Sequence, residues 1–424
     1  MASTTRRGFV AGLAGASLGA GVLHGLPRLR PPLPAAPRGP GRFDEPDWER
    51  LRGEFLPGQR TISLNSANMS PAPKSVVAAL DQATRHVDAD VSYQSRARFG
   101  EAKERVRERL SAMLGARPDE LAIVRNASEA NNIVVAGLDL RPDDEVLLFE
   151  QNHPTNNVAW EVRAARMGFA VRRISLPANP KSPAELLDRF ASAVGPRTRV
   201  IGFSHVSNVS GLRIPAAELC QWARARNIYT HVDGAQTFAA MRIDLGALGA
   251  DSFAASTQKW LMGPREMGLL FVRESRLREV WPGVVGAGWG NEVTPAVVGA
   301  RRFETMGQRD DAATAGLEAA LGFHATVGPD RIFARTAELS ARIADGLAAL
   351  GLPMVTPRSP EVSLAVRIID VEPKRAAEWH ERLYRDHGVI SSPTGGLRFS
   401  PCVAVTLADV DRALEAIGRV TGRA

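Results

Sequence analysis

IYTHVD (residues 228–233) and SFAAS (residues 252–256) are two apolar runs that each lead directly to a polar residue. Asp233 closes the first run, and Lys259 follows the second by three residues. Both runs predict β-strands, and the carboxyl ends of parallel strands share one edge of a sheet, where ligands gather. Loss of water around Lys259 would lower its pKa and suit it to Schiff-base chemistry. A lysine that only extends from a strand end into solvent is the structural alternative.

Lysine is rare in this chain, which has five lysines against 48 arginines. Lys74, Lys181 and Lys374 each follow a proline at an expected helix start or loop, where a solvated charge is ordinary. Lys103 lies on a charged helix face. Only Lys259 stands between an apolar strand and a further apolar run, which singles it out as the candidate for chemistry.

Asp233 strengthens this hypothesis because a buried carboxylate is costly unless it is paired with a cation. A protonated pyridine nitrogen is such a cation, and the protonated ring is an electron sink. The alternative is an aspartate that caps the turn at Gly234, a common use of Asp-Gly. The combination of Asp233 at a strand end with a desolvated Lys259 favours pyridoxal phosphate (PLP).

Two further segments are expected at the same edge. Residues 126–130, NASEA, lie between the strand LAIVR and a helix, so their backbone N–H groups and the Ser128 hydroxyl could hold a phosphate. An ordinary helix N-cap would look the same. His153 follows another strand and could stack on a cofactor ring, although a histidine in a surface loop is the simpler explanation.

The chain from about residue 76 alternates strand and helix patterns, with DEVLLFE, AVRRISL and RVIGFSH as further strands. Such alternation predicts an α/β fold with a mostly parallel sheet covered on both faces. Beyond residue 310 the pattern changes to long amphipathic helices and short strands, which predicts a smaller α+β domain. The predicted boundaries are an N-terminal segment at 41–75, a large domain at 76–310 and a small C-terminal domain at 311–424.

Residues 1–40 are predicted to be an address and a linker. TRRGFV, residues 5–10, resembles a twin-arginine export signal, and a Pro-rich stretch follows at residues 30–40. Export by the twin-arginine machinery, to the periplasm or another extracytoplasmic site, is therefore expected, with the signal either cleaved or kept as an anchor. A disordered basic tail is the alternative.

The composition, 44% hydrophobic and 23% charged over 424 residues, is that of a globular protein. The net charge is +7, but residues 1–40 hold five arginines and no acidic residue. The rest of the chain is nearly balanced and lacks the cationic surplus expected of a nucleic-acid-binding protein. Cys220 and Cys402 form neither a disulfide framework nor a metal-ligand pattern.

These motifs together resemble the class V aminotransferase family of fold type I PLP enzymes, over roughly residues 60 to 420. They occur in the family's order: SLNSANMSPAP, NASEANN, HPTNNVAW, SHVSNVSG, VDGAQ, STQKW and GGLRFSP. The resemblance implies a fold type I PLP-dependent transferase architecture and PLP as the cofactor. It further implies a small amino-acid-like substrate and a homodimer with sites near the interface.

The resemblance also implies roles for individual residues. Lys259 would form the Schiff base, Asp233 would pair with the pyridine nitrogen, and His153 would stack on the ring, which makes these three the predicted catalytic residues. The further predicted cofactor contacts are Ser128, Glu129, Asn208, Gln236, Ser256 and Gln258. Of these, Gln236 is expected near the phenolic oxygen, and Ser256 on the phosphate. Arg398 would clamp the substrate α-carboxylate, a bidentate task suited to a guanidinium.

Departures from the family pattern reduce the number of candidate reactions. Gln258 replaces the histidine that desulfurases carry before the lysine, and Gly307-Gln308 replaces a Gly-Thr pair at the expected subunit contact. The loop HGVISSPTGG, where desulfurases carry their persulfide cysteine, contains no cysteine. The pattern is most similar to the isopenicillin N epimerase-like branch, which implies chemistry at Cα begun by Lys259. An aminotransferase, a C–S or other β-lyase, and a catalytically silent PLP-binding protein remain as alternatives.

Overall fold

The computed structural model describes residues 43–56, 61–286 and 297–423. The predicted twin-arginine signal and Pro-rich linker, residues 1–40, lie outside these described residues. A search of the helices within these ranges finds none that is both long and apolar enough to cross a membrane.

The main sheet lies in the middle of the chain. Its strands are β2 (Leu121–Val124), β3 (Glu145–Phe149), β4 (Ala170–Ile174), β5 (Thr198–Ser204), β6 (Tyr229–Asp233), β7 (Ser252–Ser256) and β8 (Gly268–Val272), preceded along the chain by the short β1 (Ile62–Ser63). They are ordered β2-β8-β7-β6-β5-β3-β4. The pairs from β4 to β7 are parallel, and β8 is antiparallel to both of its neighbours. The predicted mostly parallel α/β sheet is confirmed.

Both faces of this sheet are buried, as the apolar runs require. In β3, Val146 and Leu148 pack into one hydrophobic cluster, while Leu147 and Phe149 pack into the cluster on the opposite face. Successive side chains of a strand point to opposite faces, so a strand that is apolar at every position needs a cover on both sides. Helices supply that cover.

The helices alternate with these strands. They are α1 (Glu45–Arg52), α2 (Lys74–Ala89), α3 (Tyr93–Leu114), α4 (Ala127–Gly137), α5 (Pro154–Met167), α6 (Pro183–Ala193), α7 (Ala216–Arg224) and the one-turn α8 (Leu245–Leu248). Local sequence fixes several ends. The Asn126 side chain caps α4, and α5 begins with Pro154 and stops at Gly168, whose φ of 86° is accessible to glycine at little cost.

The C-terminal part carries longer helices and short strands. Its elements are α9 (Asp311–Val327), α10 (Pro329–Ala349), β9 (Arg367–Ile369), α11 (Pro373–His387), β10 (Val389–Ile390), β11 (Leu397–Phe399) and α12 (Leu407–Thr421). Strand β11 is antiparallel to β9, and β10 pairs in parallel with β1 of the N-terminal segment. Helix α9 packs on α2 and α3, whereas α10 packs on α12. The domain boundaries predicted from the sequence stay a prediction.

Candidate active site

A cavity of about 190 Å³ lies at the carboxyl ends of the central strands. Ser204, Asp233 and Ser256 are the last residues of β5, β6 and β7, and all three line it. The residues predicted from the sequence that line this cavity are Ser128, His153, Asn208, Asp233, Gln236, Ser256, Gln258 and Lys259. Segments that are up to 131 residues apart in the sequence therefore meet because parallel strands end at one edge.

Lys259 lies in the loop after β7 and is partly buried in the cavity wall. Burial lowers the pKa of its amine from 10.5 to about 8; Arg398 lowers it further, and Asp233 opposes this shift. The ammonium form loses solvation when it is enclosed, so the neutral, nucleophilic form becomes accessible near neutral pH.

Asp233 is 4% exposed, and both of its carboxylate oxygens accept hydrogen bonds. Oδ1 accepts from the Ala235 N–H at 3.0 Å, and Oδ2 accepts from the Asn131 amide at 3.1 Å. The turn that follows depends on Gly234, because a Cβ there would lie 1.8 Å from the ring of Phe253. The carboxylate is thus held by two neutral donors.

The start of α4 forms a cradle suited to a phosphate. Ala127 donates its N–H to Ser256 Oγ at 2.8 Å, which leaves the Ser256 hydroxyl hydrogen available to an anion. Ser128 is the second residue of the helix, and its N–H cannot be satisfied within the helix. Gly268 lets this segment approach closely, because a Cβ at Gly268 would lie 2.7 Å from Asn126 Cα. Such a helix start favours a bound anion.

His153 precedes α5, and its Nδ1 lies 2.8 Å from the Thr155 hydroxyl. Burial lowers the pKa of the imidazole; Asp233 raises it, while Lys259 and Arg398 lower it. The ring is therefore neutral near pH 7. It reaches the cavity from the β3 side of Asp233, whereas Lys259 comes from the β7 side.

Arg398, on β11, is buried close to the cavity rather than in its lining. Its guanidinium donates to the Asn208 carbonyl at 3.0 Å and to Asn65 Oδ1 at 3.1 Å, and its Nε has no partner. No carboxylate within the described ranges forms an ion pair with it. Burial lowers its pKa to about 10. A buried guanidinium held only by neutral groups is a receptor for an incoming carboxylate.

The remaining predicted cofactor contacts include two glutamines and Glu129, and each has a defined environment. Gln236 donates to the Ala67 carbonyl at 2.8 Å and accepts from the Trp260 indole at 3.1 Å, so it ties three segments together while lining the cavity. Gln258 Oε1 is buried without a partner. Glu129 directs its carboxylate to the Arg125 N–H at 2.5 Å, and it does not belong to the cavity lining.

Sequence reasoning missed the residues that support these side chains. Asn131 bonds to Asp233, His231 bonds to Asn131, and Asn65 orients Arg398. A signal for Asn131 was present, because it is a polar residue at helical spacing among the apolar residues of α4. For Asn65 no local signal exists, since its partner lies 333 residues away.

The donor set fits PLP. Three buried polar atoms around the cavity have no partner: Asn208 Oδ1, Gln258 Oε1 and Arg398 Nε. Buried polar atoms are normally paired, so unpaired ones at a cavity indicate a polar ligand. An amine of lowered pKa, an anion cradle and a buried carboxylate match the aldehyde, phosphate and ring nitrogen of the cofactor. In the described part of the chain, no cluster of three or more His, Cys, Asp or Glu could hold a metal ion.

Comparison with known proteins gives the same result. The family model Aminotransferase class-V matches residues 62–381. An isopenicillin N epimerase of Streptomyces clavuligerus is 34% identical over 396 residues, covering 89% of this chain and 99% of that protein. A probable cysteine desulfurase of Xylella fastidiosa is 30% identical, covering 71% of this chain and 75% of that protein. The structure of a C-DES mutant with glycine linked to its PLP cofactor matches with a TM-score of 0.79 at 22% identity, covering 86% of this chain and 98% of that chain.

Proposed function

The chain belongs to the class V aminotransferase family of PLP-dependent enzymes, and from this premise we propose that it inverts the configuration at Cα of an amino acid or an amino-acid-derived substrate. The observation that carries the proposal is the pair of proton-exchanging groups at one cavity. Lys259 and His153 both have a lowered pKa, and they reach the cavity from opposite sides of Asp233. An epimerase needs one group to take the Cα proton and a second route to return it.

Each residue has a distinct task in this scheme. Arg398 binds the substrate α-carboxylate, which orients the Cα–H bond toward Lys259. Bound PLP supplies the electron sink that makes this proton acidic. The neutral Lys259 amine accepts the proton, and Asp233 keeps the ring nitrogen protonated. The His153 imidazole, which Thr155 orients through Nδ1, is a candidate to hold or return a proton at its Nε2.

The thiols of this chain do not favour a persulfide route. Cys402 is 2% exposed and packs in a hydrophobic cluster with Met262, and burial raises the pKa of its thiol. Persulfide formation needs an accessible thiolate. We therefore expect the Cys402→Ala variant to keep its cofactor and most of its turnover. Loss of turnover with an intact cofactor spectrum would restore the C–S lyase alternative.

The reaction is tested in deuterated water with purified holoenzyme and a panel of amino acids and peptides that includes isopenicillin N. Epimerisation predicts deuterium at Cα in both product configurations, with no loss of the amino group or side chain. A keto acid formed without inversion would identify an aminotransferase, and release of pyruvate or a related fragment would identify a lyase. Absence of any exchange by a holoenzyme fully loaded with PLP would support a silent PLP-binding protein.

We also propose export through the twin-arginine route, which rests on residues 5–10 alone. That machinery carries folded proteins, so the chain would acquire its cofactor before export. Changing Arg6 and Arg7 to lysine should leave a PLP-loaded protein in the cytoplasm. Unchanged export of this variant would contradict the proposal.

A homodimer is the proposed oligomeric state. Val91 and Tyr93, next to the start of α3, are 71% and 88% exposed, although both are large and apolar in character. Val91 lines a surface pocket together with Gln308 and Arg309, in the segment where the family resemblance implies a subunit contact. A second copy of the chain would bury these side chains and bring its own residues close to the active site.

A further inference from the structure

A chain of hydrogen bonds extends from Asp233 into the interior. Asn131 Nδ2 lies 3.1 Å from Asp233 Oδ2, His231 Nε2 lies 3.0 Å from Asn131 Oδ1, and Ser252 Oγ lies 2.8 Å from His231 Nδ1. Asn131, His231 and Ser252 are completely buried. None of them lines the cavity, so none contacts a ligand there.

The three residues come from three elements that surround Asp233. Asn131 lies on α4, one turn after the phosphate cradle. His231 lies on β6, two residues before Asp233 and therefore on the same face of the sheet. Ser252 is the register neighbour of His231 on β7. These hydrogen bonds thus link α4, which carries the phosphate cradle, to β7, which leads to Lys259.

Chemistry fixes the direction of every hydrogen bond in this chain. The ionised Asp233 carboxylate can only accept, so Asn131 must present its amide nitrogen and turn its oxygen toward His231. His231 must then carry its proton on Nε2, which leaves Nδ1 to accept from the Ser252 hydroxyl. Burial lowers the pKa of His231 to about 4, with Asp233 acting in the opposite direction, so the ring is neutral and carries one proton near pH 7.

Burying these polar side chains costs folding free energy unless their hydrogen bonds are complete. The polar chain lies beside an apolar layer that includes Val134, Ala254 and Leu270, where an incomplete hydrogen-bond network is strongly destabilising. With the chain complete, both Asp233 oxygens have donors, one from Asn131 and one from the Ala235 N–H. The carboxylate then cannot rotate without breaking one of these two hydrogen bonds.

We propose that Asn131, His231 and Ser252 are positioning residues that keep the Asp233 carboxylate oriented toward the ring nitrogen of PLP. The inference rests on the proposed function, which assigns that partner to Asp233. Loss of the Asn131 amide would free Asp233 Oδ2, and a rotated carboxylate would hold the ring-nitrogen proton less well. The electron sink would weaken although Lys259, Arg398 and the phosphate cradle were intact.

The test reads the ring nitrogen directly, in holoenzyme reconstituted with PLP that is ¹⁵N-labelled at that atom. The ¹⁵N resonance of wild-type protein should lie at the protonated position, and that of Asp233→Asn should move toward the unprotonated one. Asn131→Leu and His231→Leu should move it in the same direction. His231→Gln should stay near wild type, because its amide can still donate to Asn131. Turnover of the two leucine variants should lose kcat with little change in KM.

His324→Leu is the matched control, because His324 is an equally buried histidine on α9 that makes no contact with Asp233. Its resonance should match wild type. Should the leucine variants fail to fold, Ser252→Ala removes only the last hydroxyl of the chain and should still give a partial shift. If Asp233→Asn moves the resonance but Asn131→Leu, His231→Leu and Ser252→Ala do not, the positioning role is refuted. If Asp233→Asn itself causes no change, the proposed function of Asp233 fails instead.

Discussion

The chemistry of Lys259 depends mainly on its burial and only secondarily on the neighbouring charges. Burial lowers its pKa first, the Arg398 guanidinium acts in the same direction, and Asp233 alone opposes them. Two potential cations thus face one carboxylate, and the helix start of α4 adds further positive potential. Such a site favours a ligand with a phosphate and a carboxylate, and the attraction to these anions offsets the cost of burying the cations.

The titration of Lys259 is predicted from this environment. In the apoprotein, labelling of its amine by an acylating reagent should be half-maximal near pH 8, because the lowered pKa exposes the neutral form at that pH. Asp233→Asn removes the charge that stabilises the ammonium form, so the midpoint should move below pH 8. Quantitative peptide mass spectrometry measures both, with the exposed Lys181 as internal reference. A Lys259 midpoint near 10.5 would contradict the assigned environment.

At the scale of elements, the 3-10 helix Gly299–Glu304 is held against the sheet by a cluster of charged side chains around the buried Glu304. Glu304 accepts from Arg107 at 2.5 Å and from the Ile123 N–H at 2.6 Å, and it also forms an ion pair with Lys103. These contacts join the 3-10 helix to α3 and to β2. Glu304 therefore fixes the position at which residues 305–310, which include the proposed subunit contact, begin.

Glu304→Gln should destabilise the protein by about 1–3 kcal/mol, because the buried Arg107 would lose its buried anion and keep only the half-exposed Glu104. The pKa of Glu304 is lowered from 4.5, so its contribution is present above pH 4.5 and is lost as the pH falls below that value. Urea denaturation at pH 7 and at pH 4 measures the effect. Glu274→Gln is the control, because its pair with Arg117 is exposed. Equal midpoints for both variants would contradict a structural role of Glu304.

The turn after β6 gives a second prediction at this scale. Gly234→Ala should cost about 1–3 kcal/mol and weaken PLP binding, because the new methyl group overlaps the Phe253 ring and displaces Asp233. The additional change Phe253→Leu should restore part of both. Thermal unfolding and cofactor titration measure them. Gly195→Ala is the control, since no atom lies within 4 Å of an added Cβ there. An undisturbed Gly234→Ala variant would show that the turn can shift freely.

At the scale of the whole molecule, the site is closed by both ends of the described chain. Asn65, in the N-terminal segment, holds Arg398 of the C-terminal part, while Ala67 accepts from Gln236 in the turn after β6. The parallel pairing of β1 with β10 brings the N-terminal segment and the C-terminal part together. The proposed binding of substrate by Arg398 thus depends on the N-terminal segment being in place.

The proposed dimer is tested at this scale. Light scattering should give twice the 45.6 kDa of the chain, and Tyr93→Glu should shift the protein toward the monomer, because a charge would be buried in the interface. Tyr384→Glu is the matched control, since Tyr384 is an exposed tyrosine on α11. A monomeric wild-type protein would contradict the proposed dimer. Dissociation by Tyr384→Glu alone would show that the subunit contact does not lie at Tyr93.

The sequence by itself determined the α/β fold, the family and the cofactor. Alternation of apolar strands with amphipathic helices is a local pattern, and it implies a covered parallel sheet wherever it occurs. Because parallel strands end at one edge, the order of the strands was enough to bring Asp233, Ser256 and Lys259 to one cavity. The roles of the individual site residues remain predictions that the variants above test.

Only the tertiary structure decided which polar atoms of this site are already engaged. The sequence predicted neither the bond of the Glu129 carboxylate to the Arg125 N–H nor the contacts of Gln236 with Ala67 and Trp260. The Asn131–His231–Ser252 chain and the Asn65–Arg398 contact were not predicted either. Hydrogen bonds depend on distances of a few tenths of an ångström between segments remote in sequence. Those distances are set by packing, and no local pattern of residue types encodes them.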